Sequence, residues 1–176
     1  MENNFQVNAG EPKSIRTKFF NPAEFLGKGW AVWRGPAGGD GLTGKEDMDQ
    51  RSLAIKEVDF SQILFETCFK EGENLITGEE KLSRLKQTDH ILLGGNAFLG
   101  LWEDYQANKE NSILEWLFRN RKITYLDFFE ILRGPSGRRY VLCLYRHVDG
   151  WWHWCYGWLD DDWDAGRRSA VLASQS

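Results

Sequence analysis

The chain has 176 residues, of which 41% are hydrophobic, and its net charge is −4. That length suits one domain with a sizeable core, and the charge excludes a nucleic-acid polycation. No run of about 18 apolar residues is present, so no membrane span is expected.

Residues 1–18 are polar, hold Gly10 and Pro12, and read as a flexible N-terminal arm without the apolar core of a secretory signal. Residues 19–176 read as a single globular domain. Asn21-Pro22 suits the start of a short helical turn through Glu24. GKGWAVWRG, from Gly27 to Gly35, reads as a strand with Trp30 and Val32 on one side and Ala31 and Trp33 on the other. Residues 35–52 hold five of the eighteen glycines and form a long loop, expected to be mobile. Residues 53–60 suggest a strand. Residues 62–70 fit neither period cleanly and are read as a helix capped by Asp59 or Ser61.

Mid-chain the signals are helical, over about 77–121. Thr77 and Glu80 make a capping box for a helix over 77–88. His90 to Leu93 suits a short strand. Phe98, Leu101, Trp102 and Tyr105 stand at helical spacing. Asn111-Ser112 caps a last helix whose basic end, Arg119, Arg121 and Lys122, suits a C-terminus.

The stretch from Tyr125 to Trp163 holds five of the nine Trp. Gly134-Pro135-Ser136-Gly137 reads as a type I turn closed by a bulge, and Asp149-Gly150 as a two-residue hairpin turn. Together they predict a three-stranded antiparallel meander over about 125–159, with strands near 125–133, 138–147 and 151–159. The segment from Ser169 to Ala173 reads as a final edge strand. The fold class is therefore α+β, built on an antiparallel sheet. The alternative is a mainly-β barrel with inserted helices.

Few motifs carry chemistry. Gly39 to Lys45 obeys GxxxxGK, but Glu46 stands where a phosphate loop needs Ser or Thr. Asp40 and Glu46 would repel phosphate, so no nucleotide is expected. Asp160, Asp161, Asp162 and Asp164 lack calcium-loop spacing and read as a solvated strand end. His147 and His153 are not at zinc-ligand spacing with any cysteine, so no metal or other cofactor is expected. The three cysteines, Cys68, Cys143 and Cys155, form no CxxC, which suits a reduced cytoplasmic protein.

The two-residue turn at Asp149-Gly150 sets Tyr145 opposite Trp154 and His147 opposite Trp152. The bulged first turn sets Asp127 opposite Tyr145. One face then gathers Asp127, Tyr145, His147, Trp152 and Trp154, which together make the candidate ligand-binding set. In this register Cys143 and Cys155 fall on opposite faces, so no disulfide between them is expected. Indoles stack on flat apolar surfaces and still donate hydrogen bonds. The leading expectation is a non-enzymatic binding or protein-interaction module that takes an unidentified small molecule or protein on this aromatic face. One alternative is a small enzyme with acid–base chemistry at Asp127 and His147. Another is a nucleic-acid binder using the basic segment 119–146, which carries seven basic and three acidic side chains over residues 119–150. The acidic remainder of the chain argues against nucleic acid, and no membrane partner is expected.

Overall fold

The computed structural model describes residues 13–174. In chain order these form β1 (Ser14–Arg16), α1 (Pro22–Leu26), β2 (Ala31–Val32), β3 (Glu57–Asp59), β4 (Leu64–Glu66), β5 (Ile76–Thr77), α2 (Gly78–Lys86), β6 (Ile91–Leu92), α3 (Gly95–Asn108), α4 (Ile113–Arg121), β7 (Tyr125–Arg133), β8 (Arg139–Arg146), β9 (Trp152–Trp158), β10 (Asp162–Trp163) and β11 (Arg168–Leu172). The architecture is α+β. The strands lie in open sheets, so the barrel alternative is not realised.

The helices begin where the caps place them. Asn21 Oδ1 accepts the Ala23 and Glu24 amides, with Pro22 in the first turn of α1. Thr77 Oγ1 accepts the Glu80 amide at α2, and Ser112 Oγ accepts the Glu115 amide at α4. Each of these side chains satisfies a backbone donor that the first helical turn leaves without a partner. Gly100 lets β1 lie against α3, because a Cβ there would run into the Arg16 carbonyl.

The main sheet has seven strands, along the path β4-β11-β7-β8-β9 with β2 beside β7 and β6 beside β11. β11 runs parallel to β7, and the other pairs in this sheet are antiparallel. Helices α3 and α4 cover one face, where Phe98, Leu101, Leu114 and Leu117 meet Leu126, Phe128, Leu142, Leu144 and Trp152. Helix α2 and Trp163 cover the other, where Leu82 and Leu85 meet Ile131, Val141, Cys143 and Val171. The apolar area removed from water on both faces is the main term holding the layers together.

Several expectations need correction. Residues 62–70 contain β4 rather than a helix, because Leu64, Phe65 and Glu66 pair with Val171, Ala170 and Ser169. The last strand is internal, lying between β4 and β7, and not an edge. Most of the expected N-terminal arm falls outside the described residues. Its described part includes β1, which pairs with β3. The 35–52 loop is tied back by bridges from Arg34 to Leu42 and Glu46 and from Met48 to Glu130. No helix follows Lys45; the next helical residues are a 3-10 turn at Gln50–Ala54.

The meander itself forms, and its first turn is as expected. The Gly134 amide donates to the Arg138 carbonyl, and Gly137 takes the left-handed conformation at φ 82°. The second turn differs. The His147 amide donates to the Trp151 carbonyl and the Gly150 amide to the His147 carbonyl, with Gly150 at φ 86°. This is a three-residue loop, a type I turn followed by a left-handed glycine, not a two-residue turn. The register of β8 on β9 is therefore one residue from the expected one: Arg146 faces Trp152, Tyr145 faces His153, Leu144 faces Trp154 and Cys143 faces Cys155. Side chains alternate along a strand, so a one-residue slip moves Trp152, Trp154, Tyr156 and Trp158 to the opposite face. On the β7 side an irregularity between Phe128 and Leu132 sets Asp127 opposite Cys143 and Tyr125 opposite Tyr145. That shift is of two residues, so it keeps Asp127 and Tyr145 on one face.

Candidate functional site

The structure distributes the five expected site residues over four places. Asp127 is fully buried against α2 and the loop before β11. Arg167 grips it through two nitrogens, at 2.6 Å and 3.2 Å, and the Lys81 ammonium lies 3.7 Å away. Burial pushes the Lys81 ammonium below its usual value, with the Asp127 carboxylate pulling the other way. Burial also lowers Arg167, but the same carboxylate outweighs it and raises that group overall. The Lys81 ammonium also donates to the Arg167 carbonyl at 2.8 Å. Asp127 thus balances two buried cations, a role that fixes α2 and β11 on the sheet.

Trp152 is core. Its indole N–H donates to Glu115 Oε1 at 3.0 Å, and its backbone amide donates to the Tyr105 hydroxyl at 3.0 Å. Tyr145 and His147 remain together near the hairpin tip, where Tyr145 stacks on His153 at 5.6 Å. Trp154 lies on the far face, edge-on to Phe25 at 4.9 Å, and is 36% exposed.

The basic segment is likewise divided. Arg139 is buried and paired with Glu79 at 2.6 Å and Asp47 at 2.8 Å. Arg146 pairs with Glu115 at 2.9 Å and covers the Phe118 ring. Arg119 also reaches Glu115, and Arg133 donates to the Asp40 carbonyl. These side chains serve the fold's own carboxylates and carbonyls, so no continuous basic stripe forms from them.

The slip in β9 creates a different arrangement, which sequence reasoning missed. β9 ends the sheet path. The bonds at His147–Trp151 and at Leu159–Arg139 set the odd-numbered residues of β9 as the partners of β8. The amides and carbonyls of Trp152, Trp154, Tyr156 and Trp158 therefore point away from the sheet. Tyr105 takes the Trp152 amide, and the Asp161 amide donates to the Trp158 carbonyl. Between them, the backbone groups of Trp154 and Tyr156 have no protein partner among the described residues.

The side chains along this edge are aromatic and partly in water. Tyr156 is 48% exposed. Trp30 lies 4.7 Å from Tyr156 and 5.2 Å from Tyr140, which lie 5.3 Å apart. The Arg138 guanidinium stacks 4.5 Å from the Trp158 ring. The result is a ribbon of rings beside an open strand edge, closed at one end by Tyr105 and at the other by Asp161. No family model, curated protein or solved structure matches the chain. The signal that could have found the edge is the alternation WHWCYGW, in which every second residue from Trp152 is aromatic. Reading it needed the length of the second turn.

Proposed function

We propose that the protein is a non-enzymatic interaction module whose β9 edge receives an extended segment of a partner protein. The observation that carries this reading is the pair of open backbone positions at Trp154 and Tyr156, set beneath half-exposed aromatic rings. An extended peptide added to a sheet edge gains main-chain hydrogen bonds, and pockets for alternate side chains give it specificity. Sheet edges are ordinarily blunted by lysine, proline, a bulge or a covering loop. β9 carries no lysine or proline and pairs with β8 without a register shift. Trp and Tyr are also the residues most enriched at binding hot spots.

The acid–base alternative has less support, because Asp127 is enclosed by Arg167 and Lys81 while His147 stands at the exposed hairpin tip. A panel of random peptides displayed on phage, panned on the immobilised protein, tests the interaction reading. Tyr156→Pro removes one outward amide while leaving the β8 ladder its bonds, and Trp154→Ser removes one ring. Peptides selected on the wild type should bind either variant at least tenfold more weakly, with both variants still unfolding cooperatively. Equal binding to the variants, or no enrichment of any peptide, contradicts the reading.

A further inference from the structure

The β8–β9 turn brings together three side chains that the chain separates by at most six positions: His147, Asp149 and His153. One donor atom from each lies within 4.8 Å of the other two. Asp149 Oδ2 is 3.0 Å from His153 Nε2 and 3.6 Å from His147 Nδ1. Four-coordinate zinc with bonds of about 2.0–2.1 Å sets its ligand atoms about 3.3 Å apart. The two separations bracket that value.

The local fold explains why the three converge. Gly150 in the left-handed conformation closes a three-residue loop and fixes His147 opposite Trp151. His147 and His153 are then diagonal neighbours on one face of the hairpin. Asp149 lies in the loop between them. Its Oδ1 accepts the Trp151 amide at 2.8 Å, which orients the carboxylate and leaves Oδ2 turned toward both imidazoles. Tyr145 supports the rings from below, stacked on His153 at 5.6 Å and edge-on to His147 at 6.3 Å. Two imidazole nitrogens held by a hydrogen-bonded, oriented carboxylate are what a metal site needs before the ion arrives.

We propose that His147, Asp149 and His153 form a binding site for a divalent transition ion, with zinc as the reference, at the tip of the β8–β9 hairpin. Two nitrogens and one carboxylate oxygen suit zinc, nickel or copper rather than calcium or magnesium, which take oxygen ligands. Three protein ligands leave coordination positions open, and the side chains of all three are 42–52% exposed, so those positions face solvent. The soft rival donors in this part of the sheet are the thiols Cys143 and Cys155. They sit on the same face of the hairpin but deeper, beside Tyr125 and Arg167. The site is independent of the partner-strand reading, since it uses neither the edge amides nor Trp154 and Tyr156.

Calorimetric titration with zinc chloride in a non-coordinating buffer tests it, on the wild type and on Asp149→Asn and His153→Ala. The asparagine keeps an oxygen for the Trp151 amide but removes the carboxylate ligand. One ion should bind per chain, at least tenfold more weakly in either variant, while magnesium gives no heat. Cobalt supplies a second readout. Its bound spectrum should lack a thiolate charge-transfer band and should vanish in His153→Ala. Wild-type zinc affinity in both variants overturns the proposal. So does a thiolate band that persists in them, or a wild type that binds no zinc.

Discussion

Glu130 stands in surroundings that a carboxylate does not prefer. It is 5% exposed, on β7 beside the first turn of α3, and its Oε2 has no partner among the described residues. Burial pushes its carboxyl up to about 7, although the nearby Gly95 amide pulls it the other way. Its ordinary value is 4.5, so between 4.5 and 7 the folded chain holds a proton that the unfolded chain has released. Stability contributed by this group is whole below 4.5 and is lost as pH rises through about 7, by roughly 3 kcal/mol. Glu130→Gln cannot ionise and should escape that loss. Urea denaturation from pH 5 to pH 8 should show the advantage of the variant over the wild type growing with pH. A constant difference contradicts the burial of an ionisable Glu130. Nothing in the sequence around Glu130 signals this. FFEIL reads as a strand with one polar residue, and only the approach of α3 to β7 decides that the carboxyl is enclosed.

The elements were more legible than the residues they enclose. The capping residues Asn21, Thr77 and Ser112 each mark a helix start because a side chain three or fewer positions away can satisfy a free amide without tertiary help. The strand near 62–70 was not legible, because β4 exists only through its pairing with β11, over a hundred residues on. The second hairpin failed for a narrower reason. Asp-Gly suits a two-residue loop, but it also suits the last two positions of a three-residue loop with glycine left-handed. The choice shifts β9 by one residue and exchanges its faces, which is why Asp127 and Tyr145 parted from Trp152 and Trp154. It also places Cys143 and Cys155 directly opposite each other on one face, which removes the ground on which a link between them was discounted. Both are free thiols here, as is Cys68. Burial holds the Cys143 thiol well above its usual range. The neighbouring Cys143 thiol, against the cost of burial and with help from Tyr125 and Arg167, draws Cys155 below it. Cys68 is raised by burial. Limiting iodoacetamide on the native protein, mapped by peptide mass, should therefore label Cys155 first. Preferential labelling of Cys68 or Cys143 contradicts the environment assigned to the pair.

At the scale of the whole molecule the sheet has two ends, and they are finished differently. β4 spans three residues at one end, while β9 runs for seven at the other and carries a ribbon of rings. Its inner bonds hold it to β8, and Tyr105 of α3 and the turn after β9 take one backbone group at each extremity, so the opening centres on Trp154 and Tyr156. No helix among the described residues is long and apolar enough to cross a membrane. The reading as an interaction module rests on that opening, and amide hydrogen exchange resolved by residue in the free protein examines it directly. The amides of His153, Cys155 and Gly157 bond to β8 and should be protected, as should that of Trp152 through Tyr105. Those of Trp154 and Tyr156 should exchange at close to the rate of an unprotected strand. Protection of Trp154 and Tyr156 with fast exchange at Cys155 and Gly157 would contradict both the register and the open edge.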